Sequence, residues 1–377
     1  MFPRELVFVG GSHRSAIGNV HRIACAMDGK FRLAGGAFSR SVEVSRETGH
    51  VWCLDDTRVY SDIVELISAE RGKGVAVAVL TPVFQHAGAI EQLLQAGFDV
   101  ISEKPLVASS GEARAVLTQT SSSVGRLFTT FNYTGYPMVR ELRERIRRGD
   151  FGAIKQMRLT MQQEGYVKLD ATGNPVPPQA WRREDRDIPT VSLDLGMHVV
   201  QLQRFLLPSR PVSVYSRMSS FGNFGEVIDD VDVMYTCHDG LSVHGWWSKS
   251  AAGYANGLSV EVFGTEGSAR WVQIDPETLN LSNTTGVRSS IHRGSVGCIL
   301  AGEPRYNRFK AGHPDGFIEA FANLYSDIAN EIAVPESGTL SQTYVSEFSA
   351  QQSLELLVLL ESAVESSRRG VEVKVGE

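Results

Sequence analysis

The chain has 377 residues, is 42% hydrophobic, and sets 37 Lys+Arg against 43 Asp+Glu for a formal net charge of −6. That length exceeds one ordinary domain and predicts two, and the mildly acidic balance argues against a nucleic-acid or membrane-surface binder. Cys25, Cys53, Cys237 and Cys298 form no CxxC pair, so reduced thiols in a cytoplasmic protein are expected, with no zinc site and no disulfide frame. Met1 to Glu5 runs straight into a strand pattern; no signal peptide and no span of transmembrane length is expected.

Leu6-Val7-Phe8-Val9 reads as a strand buried on both faces. Gly10-Gly11 follows, then a loop to Gly18, while Ile17, Val20, Ala24 and Met27 recur at helical spacing. A strand, a glycine turn and a helix opening at a third glycine form a dinucleotide-binding unit, in which helix N–H groups and positive potential meet a pyrophosphate. The spacing departs from GxGxxG: Ser12 replaces the middle glycine and the loop is two residues longer. His13 and Arg14 lie in that loop, within reach of phosphate or of solvent.

The second strand, Phe31 to Phe38, is followed by Ser39-Arg40 rather than an acid. An acid there accepts from ribose hydroxyls, whereas a hydroxyl and an arginine suit a 2′-phosphate, a slight lean to NADP over NAD. Ser41 is placed to cap the next helix. Val59 to Ala69 reads as helix, and Val75 to Leu80 as a strand ending in Thr81-Pro82, with His86 on the first turn of helix 87–96. Phe98 to Ile101 is a strand running into Ser102-Glu103-Lys104-Pro105; helix 110–121 and a strand from Leu127 to Phe131 follow. Six strands alternating with helices over about the first 131 residues predict a complete Rossmann domain, residues 1–132.

Residues 133–377 are expected to form a second domain of helices and a meandering, largely antiparallel sheet. Helix Pro137 to Arg148 precedes a strand from Ile154 to Met161. A polar loop, 170–190, carries Trp181, Arg182 and Arg183, and long loops in compact domains are usually functional. A helix spans Ser192 to Leu207. Strands follow at Val212–Met218, Asp230–Thr236, Leu241–Trp247, Leu258–Gly264 and Ser268–Ile274, and helices at Gly316–Ile332 and Ser346–Arg368.

Asp194 and His198 are four residues apart, on one face of that helix. Histidine exchanges protons near neutral pH. The spacing alone equally suits an ion pair, but the apolar flank of Leu193, Leu195, Met197, Val199 and Val200 predicts burial, which is costly for idle polar groups. No third ligand stands nearby, so no metal site is expected.

The glycine turn, Glu103-Lys104-Pro105 after the fifth expected strand, and Asp194 with His198 together resemble the Gfo/Idh/MocA oxidoreductases, the family of glucose-fructose oxidoreductase and inositol dehydrogenase. Asn132 to Pro137 and Gly312 to Gly316 resemble a subgroup of bacterial dehydrogenases within it. Val83 stands where many relatives carry Asn. The resemblance covers essentially the whole chain and implies hydride transfer between NAD(P) and a hydroxyl or carbonyl of a sugar, inositol or related polyol. It implies that Lys104 hydrogen-bonds the reacting oxygen, His198 serves as acid/base and Asp194 helps bind substrate. It also implies a C-terminal α/β domain with a large open, mostly antiparallel sheet, and subunits packed into a homodimer or homotetramer through that sheet.

The expected cofactor contacts are Gly10, Gly11, Ser12, Ile17, Gly18, Ser39, Arg40, Thr81, Pro82, His86, Glu103 and Lys104. Tyr133, Trp181, Arg182 and Arg183 are expected substrate contacts, since aromatics stack on sugars and arginines read hydroxyls. Either His198 or Lys104 serves as the base. A cofactor-dependent glycosidase acting through transient oxidation, and a non-catalytic cofactor-binding regulator, fit the same architecture.

Overall fold

The computed structural model describes residues 3–121, 123–333 and 350–376. The chain divides into two compact units, Met1–Gly135 with Phe317–Leu354, and Tyr136–Gly316 with Glu355–Glu377. The sequence reading breaks the chain once, after residue 132; the structure returns a later segment to the first unit.

In the first unit β1 (Arg4–Gly10), β2 (Phe31–Ala37), β3 (Ala76–Leu80), β4 (Asp99–Glu103) and β5 (Leu127–Thr130) form a parallel sheet in the order β2-β1-β3-β4-β5. Leu6, Val7, Phe8 and all of β3 are buried, as helix-covered parallel strands must be. The connecting helices are α1 (Ala16–Met27), α2 (Val42–Val51), α3 (Ile63–Glu70), α4 (His86–Gln95) and α5 (Ser110–Thr120).

The sheet has five strands, not six. The five runs read as strands are all present, and no sixth forms among the described residues; Val59, at the start of the stretch read as helix, makes a single parallel bridge to Gly36. Its neighbours are pinned by side chains instead: Arg58 Nε donates to buried Glu70 at 2.7 Å and Arg58 Nη1 to Glu5 at 2.7 Å, and the Tyr60 hydroxyl donates to Glu70. Glu103 therefore ends the fourth strand.

The second unit opens with α6 (Pro137–Arg148), which has Pro at its first turn and stops at left-handed Gly149, φ 82°. Its strands are β6 (Ile154–Gln162), β7 (Pro211–Ser219), β8 (Asp230–Cys237), β9 (Ser242–Ser248), β10 (Ser259–Gly264), β11 (Gly267–Val272), β12 (Asp275–Asn283) and β13 (Arg288–His292). Before β7, one π-helical turn at Ser192–Gly196 leads into α7 (Met197–Leu206). The amphipathic helix α8 (Phe317–Ala333) belongs to the first unit, where Phe321 and Tyr325 pack edge-on against His21 of α1 and Tyr325 against Phe31 of β2. That apolar face is the physical reason the segment leaves the second unit. The last helix, α9, is described over Ala350–Arg369; its expected start at Ser346 lies outside the described residues. β14 (Val373–Lys374) follows it.

The nine strands run in the order β13-β12-β11-β10-β6-β9-β8-β7-β14, with β6 and β9 parallel and every other pair antiparallel. Side chains alternate: Val231, Val233 and Tyr235 of β8 are buried, while Asp232, Met234 and Thr236 are exposed. α7 packs on β6 and β9, and α6 on β12. Strands β12 and β13 are polar, so apolar alternation does not signal them. No described helix is long and apolar enough to cross a membrane.

Candidate active site

Three successive strands of the first sheet end on one lip. β1 ends at Gly10, β3 at Leu80 before Thr81, and β4 at Glu103 before Lys104. In open parallel sheets ligands bind beyond these carboxyl ends, at the point where the strand order reverses, here between β1 and β3.

The turn after β1 is a cradle that only glycine allows. Gly10 and Gly11 have φ of 81° and 69°. A Cβ on Gly10 would come 2.9 Å from the Leu80 carbonyl, and one on Gly18 would come 2.0 Å from the Gly11 oxygen. The longer loop is closed by Ser12, whose carbonyl accepts from Ser15 N–H at 2.8 Å, and Ser15 caps α1 by accepting from Gly18 N–H at 3.3 Å. Ile17 lies partly exposed on that first turn. His13 and Arg14 instead pair with α2: His13 Nδ1 meets Thr48 Oγ1 at 2.9 Å, and Arg14 bonds Glu47 at 2.5 Å. The buried Thr81 hydroxyl has no protein partner. The cradle and this orphaned hydroxyl on one lip fit a dinucleotide.

Ser39 accepts from Ser41 N–H at 3.1 Å, and Arg40 is exposed. Pro82 is exposed as well. His86 is buried, with Nδ1 2.9 Å from the Pro105 carbonyl and Nε2 2.8 Å from the Thr81 carbonyl. It ties the end of β3 to the turn after Lys104. Burial lowers its pKa below the ordinary value, against the opposing pull of those carbonyls and of Glu103.

Glu103 is buried and faces inward. His21 Nε2 lies 3.1 Å from its Oε1, and the Thr130 hydroxyl donates to the same oxygen. Burial pushes this carboxyl up, but the His21 hydrogen bond and charge, the Lys104 charge and Thr130 outweigh it and hold it below the usual range. His21 Nδ1 in turn lies 2.6 Å from the Tyr325 hydroxyl. Neither His21 nor Tyr325 was marked in the sequence. Tyr133 is also buried in this unit, edge-on to Phe317.

In the second unit Asp194 lies on the π-helical turn and His198, buried, on the first turn of α7. The turn rests on Trp247: a Cβ on Gly196 would come 2.6 Å from the indole, whose Nε1–H donates to Ser192 at 3.1 Å. Asp194 Oδ2 accepts from Arg182 Nε at 3.1 Å and lies 2.8 Å from Lys249 Nζ. Lys249 is 5% exposed, donates to Gln163 Oε1 at 3.3 Å and sits 5.7 Å from the Tyr166 ring centre. It directly follows β9, where an isolated lysine carries no sequence signal.

Tyr166 donates to the Arg182 carbonyl at 2.7 Å, and burial pushes its phenol up to about 12. Arg182 also lies 4.7 Å from the Trp181 ring centre. Arg183 turns instead to Glu226, with Nε 2.8 Å from Oε1. The structure thus groups Asp194, Arg182 and Lys249, and leaves Arg183 apart. Among the described residues no group of three or more His, Cys, Asp or Glu is placed to hold a metal ion.

Known proteins share this two-part build. Residues 15–131 match a family model described as "Oxidoreductase family, NAD-binding Rossmann fold", and residues 139–270 match the "GFO/IDH/MocA C-terminal domain". A solved oxidoreductase from Sinorhizobium meliloti is 30% identical, with a TM-score of 0.86 over 99% of this chain and 100% of that one. An inositol dehydrogenase homolog from Azotobacter vinelandii, solved with NADH and myo-inositol, is 26% identical, with a TM-score of 0.88 over 99% of this chain and 97% of that one. The uncharacterized oxidoreductase YfiI of Bacillus subtilis (strain 168) is 26% identical over 337 residues, 87% of this chain and 85% of its own. With the glycine cradle, Lys104 at its strand end and both family models in register, the chain belongs to the GFO/IDH/MocA family of NAD-binding oxidoreductases.

Proposed function

We propose that this oxidoreductase acts on a hydroxyl, or in reverse a carbonyl, of a sugar, inositol or related polyol. The observation that carries the reading is Lys104, set on the same sheet lip as the glycine cradle and directly after a buried, anchored Glu103. The likeness to a structure holding NADH and myo-inositol supports the substrate class. When bound, the nicotinamide supplies the hydride acceptor or donor. Lys104 donates a hydrogen bond to the reacting oxygen and stabilises its developing negative charge. His198 takes the hydroxyl proton on a ring nitrogen in the oxidising direction, and returns one in the other. Asp194, held by Arg182 and Lys249, accepts from a substrate hydroxyl. Arg182 and Trp181 border that position.

No acid follows β2, and Arg40 is exposed there, which favours NADP over NAD. Its four cysteines are free thiols, which suits work in the reducing cytoplasm. The exposed face of the second sheet pairs subunits into a homodimer or homotetramer. A panel of sugars and polyols, assayed at 340 nm with NAD and with NADP, tests the reading. A substrate-dependent rise in absorbance is expected with at least one pair; none with any pair would refute it.

A further inference from the structure

The helix-covered face of the second sheet changes character at one end. On that face Trp247 of β9, Met161 of β6, Val260 of β10 and Trp271 of β11 are buried, as alternation beneath covering helices requires. Beyond the strand ends the same alternation reaches Lys249 after β9, Gln163 after β6, Asn256 ahead of β10 and Gln273 after β11. These four side chains are linked in one direction. Lys249 Nζ donates to Gln163 Oε1 at 3.3 Å, Gln163 Nε2 to Asn256 Oδ1 at 3.3 Å, Asn256 Nδ2 to Gln273 Oε1 at 2.8 Å, and Gln273 Nε2 to the Tyr136 hydroxyl at 3.4 Å. The row starts beside Asp194, whose Oδ2 lies 2.8 Å from Lys249 Nζ. Its four strands are neighbours in the sheet, so three strand spacings carry it about 14 Å, farther than one sugar ring reaches.

We propose that Gln163, Asn256 and Gln273, with Tyr254 beside them, form a second sugar subsite, so that the substrate is a glycoside whose reacting ring lies at Asp194 and whose second ring lies along the row. The inference rests on the reading of Asp194 as a substrate contact given above, and narrows the substrate from a polyol to a polyol or sugar joined to another ring. All three amides are half-buried, within reach of solvent. Gln163 and Gln273 each engage one donor and one acceptor along the row, and an amide has two of each, so both have capacity left for hydroxyls, which likewise donate and accept. Tyr254 supplies an apolar surface. Its ring is backed by Gly257, where a Cβ would come 2.7 Å from Cδ1, and the residue is 48% exposed. An aromatic face for the C–H side of a ring and amides for its hydroxyls are complementary to a sugar. Past Lys249, which is matched by Asp194, the row carries no charge, so it suits a neutral ring better than a phosphate or a carboxylate.

The test is binding to the full-length protein, titrated by saturation-transfer NMR without cofactor so that no turnover intervenes. Glucose, galactose and myo-inositol are compared with maltose, cellobiose, lactose and galactinol, in which these rings carry a second one. At least one two-ring probe is expected to bind about tenfold more tightly than either of its rings alone, the gain that one or two further hydrogen bonds supply. Tyr254→Ala and Gln273→Leu are each expected to bring that ratio close to one. Tyr254 is exposed, so its variant tests the row even where Gln273→Leu does not fold. Two-ring probes that bind no more tightly than their single rings overturn the proposal, as does binding of no probe at all. A parental ratio in the folded variants overturns it too, as does an equal weakening of single-ring and two-ring probes, which would assign the effect to packing. Failure of the dehydrogenase reading would appear separately, as no substrate-dependent change at 340 nm in the polyol panel.

Discussion

Charge at single residues is controlled here by burial and partners rather than by residue type. Glu103 stays ionised in the interior because His21 and Thr130 donate to it, and Asp194 is met by two cations. His86 is the contrary case, buried with both ring nitrogens against carbonyls, and burial dominates its lowered pKa. Its folded pKa lies below its unfolded value, so the unfolded chain binds the extra proton first. Stability from this residue is therefore complete above about pH 6.5, the unfolded value, and is lost as pH falls below it. Melting temperature is expected to drop between pH 7 and pH 5, and His86→Gln, although less stable at pH 7, is expected to show a flatter dependence across that range. An equally steep dependence in the variant would contradict this assignment.

Sequence reading reached Lys104 because a strand buried on both faces announces where its polar end must emerge. It reached His198 because an apolar flank made its burial unusual. It missed His21 and Tyr325 because their contact joins positions 304 apart, and neither departs from its local helical pattern. Lys249 was missed for the same reason: only folding brings it to Asp194, from the end of β9.

At the scale of elements, two close approaches fix the site-bearing turns. The α1 start is pressed on the glycine turn at Gly18, and the π-helical turn on Trp247 at Gly196. Gly18→Ala would drive a methyl into the Gly11 oxygen, which backbone alone must relieve. The expected cost is about 1–3 kcal/mol of stability, with weaker dinucleotide binding by titration calorimetry; a variant matching the parent in both would contradict the cradle. The first unit was largely legible because its strands are continuous apolar runs. The count of six strands is one too many: the five apolar runs named in the sequence are the five strands of the sheet. In the second unit, polar β12 and β13 pair through backbone hydrogen bonds that side-chain pattern does not report.

At the scale of the whole molecule, a nine-stranded sheet with one helix-packed side invites a partner on the other. Met234 of β8 lies beside Tyr215 of β7, and both are exposed. Large exposed apolar positions on a broad sheet favour association. Met234→Lys is expected to convert a dimer or tetramer into a monomer, read as mass by light scattering on a sizing column; an unchanged oligomer would place the interface elsewhere.

The central claim is that Lys104 and His198 serve one hydride transfer. Its most direct measurement is turnover at 340 nm of Lys104→Ala and His198→Ala beside the parent protein, on the best substrate of the polyol panel, with cofactor affinity measured separately. Each variant is expected to lose about two to four orders of magnitude in rate while binding cofactor nearly as the parent does. Near-parental turnover in either variant would contradict the account.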